Sequence, residues 1–302
     1  MTADVRRLLD LLPQPADEVV QLGGPYRPWL VRYGGRAAII RASDLERLRR
    51  LGFSADLAMS SIEWLHDFLR DLSGTGFAAP APVDDLRGTS VVSADGAIWE
   101  LLTFVPGRSV DWVECAMRRA GDLLARFHDA SLRTRPRPQR PGALPMSDCR
   151  PLDPRAATAR TQLEAELAGI RAGLSGVVHG DATQANVVLD GDDYRLVDFA
   201  LGYEESLVFD IAAALWRNGR ADPNSVTYDP RRVETFVRGY HDVRRLDAND
   251  DRRIVACMMA RGLQLQQRLE LRGGVDDTVM LRVMSIERQQ SDLREAIASA
   301  IS

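Results

Sequence analysis

Asp181, Asn186 and Asp198 occur on short apolar runs at a spacing that suits chemistry on a phosphate. The first run reads Val177-Val178-His179-Gly180-Asp181-Ala182-Thr183-Gln184-Ala185-Asn186, and the second closes at Val197-Asp198-Phe199. A carboxylate at the end of a strand can orient an attacking hydroxyl and take its proton. The loop behind it turns back, so an amide oxygen at Asn186 faces a metal instead. A second carboxylate at the end of the next strand adds another hard oxygen of the kind Mg²⁺ accepts. Phosphoryl transfer needs these parts: an in-line hydroxyl, a base, and a metal to hold the triphosphate charge. Taken singly, each piece has an ordinary reading. His-Gly-Asp makes a turn, Asn186 can satisfy a loop backbone, and Asp-Phe alone carries nothing. The joint order of apolar run, HGD, Asn, turn, apolar run and Asp carries the inference.

The elements that must position these groups follow from periodicity. Residues 3–12 suggest a short amphipathic helix. Apolar runs between 18 and 42, punctuated by Gly23-Gly24-Pro25 and Gly34-Gly35, predict three strands. Ser43 and Glu46 form a capping-box pattern, and 60–71 predicts a further helix. With two more strands at 89–92 and 97–105, residues 1–105 make a small lobe of antiparallel sheet and one or two helices. Pro106-Gly107 ends it. Helices are predicted at 113–132 and 154–173, either side of a loop rich in proline and arginine. Strands follow around 177–178, 186–189 and 194–199, then mainly helix from 207, with Asn249 capping a helix to Leu271. Residues 106–302 form a mainly helical lobe, and the class is α+β.

The HGDxxxxN pattern followed by a strand ending in Asp-Phe resembles the aminoglycoside phosphotransferase and choline kinase superfamily, whose fold is related to that of protein kinases. The similarity continues through Asp210-Ile211-Ala212, Thr103-Phe104-Val105-Pro106-Gly107 and Leu124-Ala125-Arg126-Phe127-His128. The segment 198–203 is also similar to homoserine-kinase-like members. The resemblance implies a two-lobed protein-kinase-like fold, a small antiparallel β-sheet N-lobe on a mainly helical C-lobe. It implies Asp181 as catalytic base and Asn186 and Asp198 as Mg²⁺ ligands. His179 then braces the loop, and Asp210 is the buried aspartate that hydrogen-bonds it. ATP is the expected donor, with GTP left open, its base held by the backbone of Thr103, Phe104 and Val105. Such kinases normally carry a small-lobe lysine, yet this chain has none and all 39 of its basic side chains are arginine. Arg41 stands at the lysine's strand position, either contacting phosphate or lying on the surface. Glu63 is its expected helix partner, with Glu46 as a rival. Gly23 and Gly24 either offer amides to phosphate or simply close a hairpin.

The net charge of −4 argues against a nucleic-acid partner. No apolar run is long enough to cross a membrane, and residues 1–13 lack the apolar core of a signal peptide. Cys115, Cys149 and Cys257 form no metal-like cluster, which suits a reducing cytoplasm. The expected partner is a small-molecule hydroxyl: an aminoglycoside or other antibiotic, as in resistance, or a metabolite such as homoserine, choline or a sugar. The protein is read as a monomer or homodimer. Glu204, Glu205, Asp148 and Asp153 are candidates for an acidic acceptor face. The alternatives are a bacterial protein Ser/Thr kinase and a non-catalytic nucleotide-binding protein. Only eleven residues separate Asp198 from Asp210, leaving little room for a peptide-docking platform.

Overall fold

The structure is a computed structural model and describes residues 3–23, 27–50, 53–110, 114–143, 145, 148–150, 152–271, 273–274 and 276–302. Two compact units are present: residues 1–106 with 140–142, and residues 107–139 with 143–302. Residues 140–142 join the first unit through Arg140, whose Nε donates to the Ser61 carbonyl (3.1 Å) and Oγ (2.8 Å).

In the first unit, β1 (Glu18–Gln21), β2 (Trp29–Tyr33), β3 (Arg36–Asp44), β4 (Val91–Ala94) and β5 (Ala97–Thr103) form one antiparallel sheet. Their order is β1-β2-β3-β5-β4. Side chains alternate across a strand, so each face gathers its own apolar set. Trp29, Val31, Tyr33, Ala38, Ile40, Trp99 and Leu101 pack with Val5 and Leu8 of α1 (Ala3–Leu9). Val91 and Ile98 pack with Leu45 of α2 (Leu45–Arg50) and with Ala58 and Ile62 of α3 (Ala55–Gly74). Two expectations are corrected here. Ser43 lies within β3 opposite Ile98, so strand pairing takes the residue expected to cap α2. The longer helix begins at Ala55 rather than at 60, because Ser54 caps it, accepting from the Leu57 N–H at 3.1 Å.

The second unit is mainly helical: α4 (Glu114–Ser131), α5 (Ala157–Ala172), α6 (Leu207–Asn218), α7 (Pro230–Val243), α8 (Asp250–Glu270), α9 (Asp277–Arg288) and α10 (Gln290–Ile301). Its short strands are β6 (Arg108–Ser109), β7 (Ser175–Val178), β8 (Val187–Asp190), β9 (Asp193–Leu196) and β10 (Tyr203–Ser206). They pair as β10-β7 and as β6-β8-β9. Helix α8 starts after Asn249 as expected, although the Asn249 side chain accepts from Arg252 (3.0 Å) instead of capping. Its buried surface is wider than one stripe, because α5, α6, α9 and α10 all pack on it. The polar members Arg261 and Gln264 are therefore inside the unit as well. No helix among the described residues is long and apolar enough to cross a membrane.

Helices α4 and α7 approach so closely at Gly239 that an added Cβ would lie 2.0 Å from the Arg118 carbonyl oxygen. Gly239→Ala should therefore force the pair apart and cost about 1–3 kcal/mol. Thermal unfolding should show a fall in Tm of several degrees; an unchanged Tm would contradict so tight a contact.

Candidate active site

The loop after β7 is built around one buried carboxylate. Asp210, on α6 and fully buried, accepts from the His179 N–H (2.7 Å, Oδ2) and the Gly180 N–H (2.9 Å, Oδ1). His128 Nε2 donates to the same carboxylate at 3.0 Å, and its Nδ1 meets the Tyr240 hydroxyl at 2.8 Å. Burial works to raise the Asp210 carboxyl, but the bond and charge of His128, with His179, outweigh it and hold it below its ordinary value. Gly180 has φ +75°, and a Cβ there would meet the Leu201 carbonyl oxygen at 2.4 Å, so only glycine fits the turn.

His179 has both ring nitrogens on backbone partners. Nε2 lies 3.1 Å from the Val197 carbonyl and must donate, which leaves Nδ1 to accept from the Asp181 N–H at 3.3 Å. Its ring packs on Phe199 with centroids 4.5 Å apart. Farther along, the Gln184 N–H donates to Asn218 Oδ1 at 3.0 Å.

Within this frame the Asp181 side chain keeps 25% of its surface exposed. Asn186, in the 3₁₀ turn Gln184–Asn186, donates from Nδ2 to the Asp181 carbonyl (2.8 Å) and Oδ2 (3.2 Å). That fixes the amide so that Oδ1 faces away, with no hydrogen bond to it among the described residues. The Val197 N–H donates to the Asn186 carbonyl at 2.9 Å, so Asn186 and Asp198 flank the same end of the β8–β9 ladder. The expected strand 194–199 is corrected: β9 stops at Leu196, so Asp198 lies two residues past its end. It adopts a left-handed conformation, φ 61° and ψ 66°, that strains a non-glycine residue and re-aims its carboxylate. Among the described residues no group of three or more His, Cys, Asp or Glu side chains is assembled for a metal. An amide oxygen held outward and one carboxylate nonetheless fit Mg²⁺, which takes few protein ligands and leaves the rest to phosphate and water.

One cation that the sequence reading passed over reaches this site. Arg261 on α8 is 6% exposed at its side chain and places Nη2 3.5 Å from Asp181 Oδ1. The available signal was a charged residue inside the apolar run Met258-Met259-Ala260-Arg261-Gly262-Leu263. His128, Tyr240 and Asn218 were likewise unassigned, since their roles depend on long-range contacts. Of the expected acidic face, Asp153 caps the turn Pro154–Ala156 and pairs with Arg155 at 2.7 Å. Asp148 lies 3.7 Å from Arg171, and Glu205 Oε1 accepts from the Ser206 N–H at 3.0 Å. Glu204 is half-buried, and burial raises its carboxyl against the opposing charge of Arg137.

In the first unit, Arg41 lies directly across from Glu100 in the β3–β5 register. The two make a two-pronged pair, Nε–Oε1 at 2.9 Å and Nη2–Oε2 at 3.0 Å. His66 on α3 donates from Nε2 to Glu100 Oε2 at 3.2 Å, and its Nδ1 takes the Ser90 hydroxyl at 2.9 Å. The expected partner Glu63 is corrected: it sits on the exposed side of α3, with no ion pair among the described residues. Strand register, which sequence spacing does not reveal, puts a sheet carboxylate beside Arg41 instead. Burial alone would raise Glu100, but Arg41 and His66 bring it down to about 2. Gly23 lies just past β1, where Leu22 N–H bonds the Pro28 carbonyl at 2.8 Å; Gly24 falls outside the described residues. The Thr103 N–H is taken by Ala81 (2.8 Å) and the Phe104 N–H by Ala37 (3.1 Å). The Val105 N–H has no partner among the described residues.

Two outcomes follow from these carboxylates. Asp210→Asn replaces one acceptor oxygen by an N–H donor facing a backbone N–H. It should cut kcat by about 10²-fold while nucleotide KM moves little; steady-state kinetics with equal effects on both would contradict a positioning role. For Glu100, a lowered folded-state pKa means its stability contribution is whole above its unfolded value and lost as pH falls from about 4.5 toward about 2. Denaturant unfolding should show wild type losing stability across that window, and Glu100→Gln showing a flatter pH slope from a lower starting stability.

Comparison with known proteins places this arrangement. A model of the phosphotransferase enzyme family, APH, matches residues 19–253. A homoserine kinase of Methylobacillus flagellatus is 29% identical over 204 residues, 61% of this chain; the chain spans 60% of that relative's length. Among solved structures, an amicoumacin kinase in complex with AMP-PNP, Ca²⁺ and Ami has TM-score 0.67 and 19% identity, covering 97% of this chain and 92% of that one. A microcompartment-associated aminopropanol kinase has TM-score 0.69 and 17% identity, covering 99% and 98%. These structures share the protein-kinase-like fold with this chain. With its family model matching well over half of its length, the chain belongs to the phosphotransferase enzyme family.

Proposed function

We propose that the protein transfers the γ-phosphate of ATP to a hydroxyl group of a small molecule, with Asp181 as the base. The observation that carries this reading is the loop 179–186, fixed by Asp210 and presenting Asp181 and Asn186 side by side. Asp181 accepts the hydroxyl proton as the oxygen attacks phosphorus, and the P–O bond to ADP breaks. Asn186 Oδ1 and the Asp198 carboxylate would hold Mg²⁺, which neutralises charge on the phosphates when bound. Arg41, kept in its fork by Glu100, is the cation available where kinases of this type use lysine; a planar guanidinium still contacts phosphate oxygens. Val105 offers the backbone amide left for the adenine ring, and Gly23 stands in the turn proposed to cover the phosphates. Homoserine is the first acceptor to try, given the homoserine kinases among the relatives. The stretch between Asp198 and Asp210 is filled by the turn Phe199–Leu201 and β10, which favours a small acceptor over a protein one. ATP as donor and the buried thiols Cys149 and Cys257 fit a cytosolic setting.

Asp181→Asn should abolish phosphate transfer, read by mass spectrometry of the acceptor, and leave nucleotide affinity within a few-fold; residual turnover near wild type would remove Asp181 as base. Arg41→Ala should raise the KM for ATP about tenfold or more with a smaller change in kcat. An unaltered KM would return Arg41 to a purely structural role.

A further inference from the structure

Arg261 is placed unusually for a charged side chain. It lies on α8 inside an apolar stretch, its residue is 5% exposed, and its charge is aimed at the carboxylate that accepts the proton. Nη1 donates to Gln264 Oε1, which sets the plane of the guanidinium. The contact of Nη2 with Asp181 Oδ1, at 3.5 Å, is too long for a strong hydrogen bond. Nε, on the same side-on edge of the fork as Nη2, is buried with no partner among the described residues. A buried donor without a partner is unfavourable, and a ligand oxygen seated against it would relieve that cost. A second polar group nearby is in the same condition. The Tyr203 hydroxyl on β10 is buried with no partner among the described residues, and Arg261 is near enough to act on its phenol.

The geometry points to Arg261 as the receptor for a carboxylate on the phosphate acceptor, so that the substrate class is an amino acid or hydroxy acid with a free hydroxyl. This rests on the kinase reading above and narrows it. The Nε/Nη2 edge matches the two oxygens of a carboxylate. An acceptor seated there takes over the charge that Asp181 now meets only at long range, and Asp181 is freed to receive the hydroxyl proton. A purely cationic acceptor gains nothing from this edge and is repelled by it, so the same residue selects against simple amino alcohols.

The test uses matched acceptor pairs that differ only by the carboxylate: homoserine and 3-aminopropan-1-ol, serine and ethanolamine, threonine and 1-aminopropan-2-ol. ADP release and acceptor phosphorylation are measured for the full chain, for Arg261→Gln and for Arg261→Lys, each checked for folding by circular dichroism. Wild type should favour the acid in its best pair by about 10²-fold in kcat/KM, mainly through KM. In Arg261→Gln that ratio should collapse to within about fivefold of unity, and Arg261→Lys, which keeps the charge without the fork, should fall between. Equal or better wild-type use of the amine overturns the inference and leaves the kinase reading standing. So does transfer only to acceptors without an acid group, or an Arg261→Gln ratio like that of wild type. No phosphate transfer to any acceptor, with no ADP released, overturns both.

Discussion

The second unit depends on a carboxylate taken fully out of water. Desolvating Asp210 is expensive, and it is tolerated only because each oxygen finds donors: two consecutive backbone amides and the His128 ring. That demand is mutual. The amides of His179 and Gly180 also need an acceptor once the loop turns inward, since both residues are buried. The aspartate and the loop therefore hold one another in a single arrangement, and Tyr240 extends the network through His128 to α7. A half-satisfied version would be worse than an apolar core, which makes the geometry close to all-or-none.

From that anchor the candidate site residues follow in order. The left-handed turn at Gly180 directs Asp181 outward, and the His179 ring ties the Asp181 amide to the strand ending before Asp198. Asn186 is pinned by its nitrogen, so that its oxygen is left without a hydrogen bond among the described residues. Strain is stored at Asp198, held in the left-handed region just past the end of β9. The first unit repeats the logic with opposite emphasis, where one buried glutamate, Glu100, organises the arginine that faces it.

Local features were legible in the sequence, and non-local ones were not. The HGDxxxxN segment marked Asp181 and Asn186 as candidates because the loop that brings them together is local, five residues long from one to the other, and the structure pairs their side chains. Strands β2 and β3 were readable from the glycine turn between them. In contrast, β6 and β10 are two and four residues long and exist only through pairing with β8 and β7. Propensity cannot report such partners. Ser43 carried a good capping signal, yet a full strand register against β5 outweighed it. Position on a helix points to Glu63, whereas the real neighbour of Arg41 is set by which residues face each other across two strands. Arg261 lies 80 residues from Asp181, so nothing short of the folded unit joins them.

Everything in the site rests on Asp210 holding the His179 and Gly180 amides and thereby the loop that carries Asp181. Residue-resolved amide hydrogen exchange on wild type and Asp210→Ala addresses it without reference to any substrate. Slow exchange at 179 and 180 in wild type should be lost in the variant, while protection along α8 persists. Equal protection of those two amides in both proteins would contradict the account.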